Sequence, residues 1–365
     1  MGLSAAWHLR RADPGVRVVV LERAQVGAAA SGASAAGVRV MGRDPAERAL
    51  ALVSLGRWSE LDRELEGTTG YRRGGGLRVA LDETSWRQAP AWVAEQRADG
   101  VPVEMMDAVE ARRLAPDVAA SCRGGVFCAM DGQAEAGPAV LAFANSARQA
   151  GVRLEERVGA EQLIVERGHM VAVGRTDGRR EACDVVIVAA GAWSARLLAP
   201  HGVTLPFTTR ALQMLQTETA PGALAPVLGA FDRKLSFKQL ASGAYLIGGG
   251  WPAAIPDEAG NRWQVLDDSV RESLAVAREV YPPAADVKVA RGWAGLEAFT
   301  PDGLPVLGRV PGLDGVLVAA GFSGHGFALA PVVGDVLARL ALGRDAREDL
   351  WRGLRLDRFI TKGAA

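Results

Sequence analysis

Two hydrophobic periodicities alternate along the chain. Gly2–Arg10 carries apolar residues at helical spacing with small residues on one side, and Asp13-Pro14-Gly15 ends it. Val16–Glu22 is a β-branched run closing on a carboxylate, the pattern of a buried parallel strand. Helix then strand recurs where Ala139–Ala150 leads through Gly151 into Val152–Leu154. Strand then helix appears at Asp184–Gly191, which ends in small residues before a helical Trp193–Ala199, and again at Gly315–Gly321 before a helix over Pro331–Leu342. The intervals have another texture. Ala46–Leu65 and Thr84–Asp99 read as helices, and 204–250 reads as short alternating strands turning at Pro221-Gly222 and Ser242-Gly243.

Insertions into one parallel-sheet domain produce this pattern, so the expected class is α/β. A discontinuous Rossmann-like domain is expected from 1–45, 131–203 and 298–365. A substrate domain with a mixed or antiparallel sheet is expected from 46–130 and 204–297.

Composition narrows the classes. The 365 residues are 49% hydrophobic and 23% charged, which excludes disordered, collagenous and disulfide-scaffold chains. Lys+Arg and Asp+Glu are equal at 42 each, so no net field favours a nucleic acid, and no basic stripe carries interleaved aromatics. Cys122, Cys128 and Cys183 lack CxxC spacing, and with four histidines no metal cluster is expected. No apolar run reaches the ~20 residues of a membrane span and no signal peptide is legible. The cytoplasm is the default location, with peripheral attachment at the inner membrane left open.

Candidate chemistry begins with Glu22. It lies twenty positions after Gly2 at a strand end, the offset at which an acidic residue meets a ribose hydroxyl in dinucleotide-binding folds. A solvated carboxylate at a strand end is the plainer reading. Only Met1 precedes Gly2, so if Gly2 is the third glycine of G-x-G-x-x-G, the first strand and the pyrophosphate turn are missing, and a start assigned too late or a truncated chain is expected. Without that strand, unpaired backbone groups would cost roughly 1–3 kcal/mol each where buried. The small-residue run Gly27–Gly37 suits a diphosphate or a flat ring, since bare backbone offers amide donors at close range.

These segments, with Val185–Gly191, Ala192-Trp193-Ser194, Thr300–Gly308 and Ala320–Phe327, resemble the FAD-dependent oxidoreductases of the D-amino-acid oxidase type. The resemblance runs over nearly the whole chain. The closing block and Arg210–Leu215 look most like the β-type subunits of sarcosine oxidase, opine oxidase, dye-linked proline dehydrogenase and hydrogen cyanide synthase. It implies that the Rossmann-like domain binds FAD, covalently or not. The implied activity is oxidation of a C–N bond in a small amine or amino acid by hydride transfer to flavin, giving an imine that water hydrolyses. Electrons would then pass to oxygen, a quinone or a partner subunit. The alternative is a non-catalytic or cofactor-holding subunit of a hetero-oligomer with other redox subunits.

By the same resemblance the cofactor would be held by Gly2, Glu22, Arg23, Ser31, Gly32, Ala33, Ser34, Ala190, Gly191, Trp193, Asp302, Gly308, Gly321, Ser323, Gly324, His325, Gly326 and Phe327. Ser323–Gly326 would face the pyrimidine side of the flavin, where amides and a helix N-terminus favour negative charge. The substrate side would carry His325, Glu297 and Arg291. His325 titrates in the range of a general base, but a histidine among glycines also suits holding a carbonyl or the flavin. Glycine oxidases place a carboxylate-binding arginine in a G-x-R-P stretch, whereas Gly295-Leu296-Glu297-Ala298 offers Glu297. Arg291, Arg39 or Arg210 would then substitute, or Glu297 would select an amine or cationic group. Leu246 stands where several oxygen-using relatives place a lysine, with Lys238 on the preceding strand as a replacement or a solvated strand residue.

Overall fold

In the computed structural model, which describes residues 1–359, the opening helix runs Gly2–Ala12 and buries Ala5, Ala6, Trp7, His8 and Leu9. It packs on the closing helix Gly326–Ala341, and glycine is required at the crossing because a Cβ on Gly334 would collide with Ser4. The chain then enters strand Val19–Glu22. This strand pairs in parallel with Arg153–Glu156, Glu22 opposite Glu156, after the crossover helix Ala136–Gln149. A second sheet pairs Val186–Val188 in parallel with Val316–Ala320, whose other edge takes Val306–Arg309 antiparallel. The two sheets share no strand pairing among the described residues. The opening helix reaches the second sheet at its N-terminus, where a Cβ on Gly2 would lie 3.8 Å from the Ala189 Cβ, just past Val186–Val188.

Strands from 76–128 and 208–299 build a mixed ten-stranded sheet. Its long members are Thr208–Thr219 and Val289–Phe299, antiparallel with Arg210 opposite Glu297 and Gln216 opposite Arg291. Val227–Ala230 joins Gly76–Ala80 in parallel and links the two stretches. One face of this sheet buries Phe237, Tyr245 and Tyr281, while helices close a separate core around Trp58, Leu50, Leu329 and Val333. Burial on that scale contributes about 1.5–3 kcal/mol for each large apolar side chain. No helix among the described residues is long and apolar enough to cross a membrane.

Several expectations are corrected in detail. The helix assigned to Pro331–Leu342 begins at Gly326, with Pro331 inside it. A proline removes only its own donor and fixes a helical φ, and the neighbouring Ala328 carbonyl accepts Ser54 Oγ at 2.6 Å and Trp58 Nε1 at 2.9 Å. That pair of bonds fastens the Pro45–Trp58 helix, the first part of Ala46–Leu65, against the closing helix. The helix expected over Trp193–Ala199 is a 3-10 turn, Gly191–Trp193, followed by the short helix Ser194–Leu198. An antiparallel meander, Ala160–Glu166, His169–Arg175 and Arg180–Ala182, escapes the sequence reading because its outward faces are charged.

Candidate active site

The carboxyl ends of the parallel strands carry the first half of the site. Glu22 ends its strand with Oε1 accepting from the Ala24 amide at 2.9 Å, and burial pushes its carboxyl above the ordinary range. Next to it the Arg23 guanidinium lies 3.5 Å from the centre of the Trp193 ring. Trp193 is delivered by a turn at Gly191, whose φ of +56° suits a residue without Cβ. Gly2, Glu22, Arg23, Ala190, Gly191 and Trp193 therefore converge, although the sequence separates them by up to nearly two hundred residues.

The small-residue run forms a floor beside this edge. Ala30–Ala33 is a single helical turn, and Gly32 faces the Gly27 carbonyl so closely that a Cβ would collide with it. Strand Val289–Phe299 presses on the same turn: a Cβ on Gly295 would lie 2.8 Å from the Ala33 Cβ, and Trp293 Nε1 donates to the Ala33 carbonyl at 3.0 Å. Ser31, Gly32 and Ala33 lie within this turn, and Ser34 Oγ accepts from the Ala36 amide at 2.9 Å. Small residues are what permit three backbone segments to meet here.

The second half lies at the N-terminus of the Gly326–Ala341 helix. Gly321, Ser323 and Gly324 take positive φ of +69°, +49° and +88°, which folds the approach into a tight concavity. A Cβ on Gly321 would lie 2.6 Å from the Phe207 ring. The Ser323 amide donates to the Ala298 carbonyl at 3.2 Å, tying the loop to the strand that carries Glu297. The Glu297 carboxylate accepts from the Gly324 amide, and burial outweighs that bond, pushing the group up to about 7. His325 precedes Gly326, the first residue of the helix, and its Nδ1 lies 3.0 Å from Glu47 Oε2. Burial and the Arg43 charge push His325 below the ordinary imidazole range, against the opposing pull of Glu47.

Around His325 sits a knot of buried charge. Arg43 is 6% exposed, Asp131 and Glu47 are fully enclosed, and burial lowers the first and raises Asp131. Asp131 Oδ1 accepts from the Val40 amide at 2.7 Å. Lys238 Nζ donates to the Ala134 carbonyl at 2.8 Å, and Ala134 in turn bonds to Ala36 at 2.9 Å. Lys238 is thus buried, not a solvated strand residue, and burial brings its ammonium down to about 7. Arg39 Nε, Glu47 Oε1, Asp131 Oδ2 and Gln133 Oε1 are buried with no hydrogen-bond partner among the described residues. Each such atom costs about 1–3 kcal/mol unless a ligand supplies the partner.

Other expected residues lie elsewhere. Arg291 is exposed, hydrogen-bonds Gln216 at 2.7 Å and stands six positions from Glu297 along one strand, about 20 Å away at strand rise. Asp302 pairs with Arg358 at 2.8 Å and caps the Leu304 amide, so its carboxylate anchors the C-terminal segment. Gly308 is packed on Trp351, and the Phe327 ring stacks on Trp58 at 5.2 Å. Arg210 is exposed on its strand with its guanidinium over Phe299.

Arg43, Glu47, Asp131 and Gln133 were not singled out in the sequence. Asp44-Pro45-Ala46-Glu47 reads as an ordinary helix start in which the glutamate would cap its own helix. In the structure Asp44 accepts from the Ala46 amide, and Glu47 reaches His325 instead, 278 positions away.

FAD fits this surface on two counts. The converging strand ends and the bare-backbone turn leave main chain accessible to a dinucleotide, and the four unpartnered buried atoms offer donors and acceptors to a flat polar ring. Comparison with known proteins agrees. A family described as FAD dependent oxidoreductase, DAO, matches residues 1–340. The chain is 29% identical to a glycine oxidase of Pseudomonas aeruginosa over 94% of its own length and 93% of the other. It is 29% identical to a D-amino acid dehydrogenase of Cereibacter sphaeroides, covering 81% and 68% respectively. The crystal structure of glycine oxidase from Geobacillus kaustophilus superimposes with a TM-score of 0.87 at 26% identity, covering 99% of this chain and 96% of that one.

Proposed function

The chain belongs to the DAO family of FAD-dependent oxidoreductases and acts on amino acids or amines at a CH–NH donor; from that premise we propose that it oxidises the C–N bond of a small amine or amino acid to an imine, which water hydrolyses. FAD, when bound, supplies the two-electron acceptor for the hydride leaving the α-carbon. The protein's own tasks are to orient the donor, adjust its protonation and shape a dry site around it.

The observation that supports this reading is the pair of unpartnered buried atoms Arg39 Nε and Glu47 Oε1 on residues that face His325, with Asp131 Oδ2 and Gln133 Oε1 on the adjoining segment, since a bound polar ligand satisfies atoms of this kind. Arg39 and Arg43 would hold a substrate carboxylate or another electron-rich group, the role left open by glutamate at position 297. Glu297, poised near neutrality beside the Gly324 amide, would take the substrate's amine end. Gly2, Glu22, Ala190, Gly191, Ser31, Gly32 and Ala33 would hold the adenine dinucleotide portion of FAD, and Ser323 and Gly324 its ring.

The test is anaerobic titration of the purified flavoprotein with glycine, sarcosine, proline, D-alanine and a diamine. Bleaching of the oxidised flavin band by one of these, with stoichiometric ammonia or amine release, is the expected outcome. A protein that retains flavin but is bleached by none of them overturns the proposal. Oxygen consumption compared with dye reduction then identifies the acceptor.

A further inference from the structure

Glu47 belongs to no part of the expected machinery, yet it is fully enclosed and touches the one histidine of the site. It stands in the first turn of the Pro45–Trp58 helix, where the positive helix end favours a carboxylate. A carboxylate only accepts hydrogen bonds, so the imidazole nitrogen facing it at 3.0 Å must carry the proton. The backbone of His325 is fixed as well, its amide donating to the Phe322 carbonyl at 2.8 Å. One third of the imidazole side chain remains exposed, and Nε2 makes no hydrogen bond among the described residues.

We propose that Glu47 is a positioning residue: it holds His325 as the Nδ1–H tautomer, so that Nε2 presents a lone pair to the bound amine. This deepens the functional reading above and rests on it for the identity of the ligand. The two ring nitrogens are chemically distinct once one proton is placed. With Nε2 bare, His325 accepts from a substrate N–H. With Nε2 protonated, it donates and no longer accepts from the amine, and only the doubly protonated ring repels an ammonium.

Burial favours the neutral ring, and the charges around it pull in both directions. Arg39 and Arg43, from the segment between Gly37–Val38 and the Pro45–Trp58 helix, disfavour an imidazolium, while Glu47 favours it. Glu297, from the sheet strand, lies on the other flank beside Gly324. Glu47 therefore fixes the tautomer and opposes the downward shift that burial and the arginines produce.

The experiment is imidazole 15N–1H correlation on the full-length flavoprotein, with the His325 signals assigned by their loss in His325→Asn. The expected wild-type spectrum has a protonated Nδ1 and a bare Nε2. Glu47→Gln, which fills the same space without charge, is expected to give mixed tautomers and a lower His325 pKa. The acid limb of kcat/KM moves to lower pH accordingly, and Glu47→Asp restores part of both effects. A wild-type ring protonated at Nε2, or tautomer and pKa both unaltered in Glu47→Gln, overturns the assignment. The wild-type spectrum decides even where a variant fails to fold, and it reads the tautomer without any substrate. Failure to find a substrate therefore tells against the functional reading and not against this one.

Discussion

Arg23 and Trp193 form a stacked pair 3.5 Å apart that joins two sheets sharing no hydrogen-bonded strands. Arg23 follows the strand Val19–Glu22 and Trp193 follows Val186–Val188. Both also reach the same hairpin tip: Trp193 Nε1 donates to the Glu258 carbonyl at 3.0 Å and Arg23 to the Ala259 carbonyl at 2.9 Å. Asn261 closes the contact on the Ala28 carbonyl at 3.0 Å. The tip thereby spans the two strand ends from which Arg23 and Trp193 project.

Replacing Trp193 with Ala removes the stacking and one hydrogen bond, a loss of about 2 kcal/mol for a partly exposed pair. The expected outcome is weaker FAD retention, seen as a faster rise of free-flavin fluorescence on dilution. Trp193→Phe keeps the stack and loses only the Nε1 bond, so its effect is expected to be the smaller one. Equal dilution curves for Trp193→Ala and wild type would falsify the role given to this pair.

Gly32 offers a sharper test of the small-residue turn, because a Cβ there meets the main-chain carbonyl of Gly27. Main chain cannot swing aside as a flexible side chain does. Gly32→Ala is expected to shift the Ala30–Ala33 turn and lower the fraction of protein purified with flavin, with far-UV circular dichroism unchanged. Gly56, where an added Cβ meets nothing within 4 Å, is the control: Gly56→Ala is expected to leave flavin content unaltered.

The parts of this arrangement that follow period and turn chemistry were legible in the sequence. Val186–Val188 and Val316–Ala320 announce themselves as apolar runs that lead into small residues, Val19–Glu22 as one that closes on a carboxylate, and each ends at the candidate site. Resemblance carried the reading further, to Ser323–Gly326. The charge knot was hidden because its logic is tertiary. Arg43 and Glu47 sit in a stretch with the composition of an exposed helix start, and Asp131 reads as a turn residue beside Gly132. Only the pairing of Gly37–Val38 with Gly132–Gln133 brings those segments together. Arg291 stands apart for a different reason: strand rise sets it about 20 Å from Glu297, with its guanidinium on Gln216.

Glu297 gives a pH signature of its own. Its carboxyl stands at about 7 in the fold against an ordinary 4.5, so the folded state binds more protons than the unfolded state between those values. Stability from this group is complete below pH 4.5 and is lost as pH rises towards 7. Glu297→Gln removes that slope, and urea midpoints measured at pH 5 and pH 7.5 are expected to lie closer together than in the wild type. The same variant is expected to raise KM for an amine donor several-fold more than kcat falls, since the side chain is assigned to binding the amine end. A wild-type pH slope retained in Glu297→Gln would assign the raised carboxyl elsewhere.

Lys238 has the opposite sign. Its ammonium falls to about 7 from 10.5, so between these values the unfolded chain holds a proton that the folded protein has shed. The folded state is penalised for the buried charge below pH 7, and the penalty is relieved as pH rises towards 10.5, at a rate approaching about 1.4 kcal/mol per pH unit. Lys238→Met fills the same channel without charge and abandons only the bond to the Ala134 carbonyl. Leaving that carbonyl unpartnered costs about 1–3 kcal/mol at either pH, while the penalty removed with the buried ammonium is largest at pH 7 and shrinks as pH rises towards 10.5. Relative to the wild type, the variant is therefore expected to be less stable at pH 9.5 than at pH 7, because most of the wild type's penalty has been relieved at the higher pH. Urea unfolding at the two pH values distinguishes this from a solvated lysine, for which the difference between variant and wild type would be the same at both.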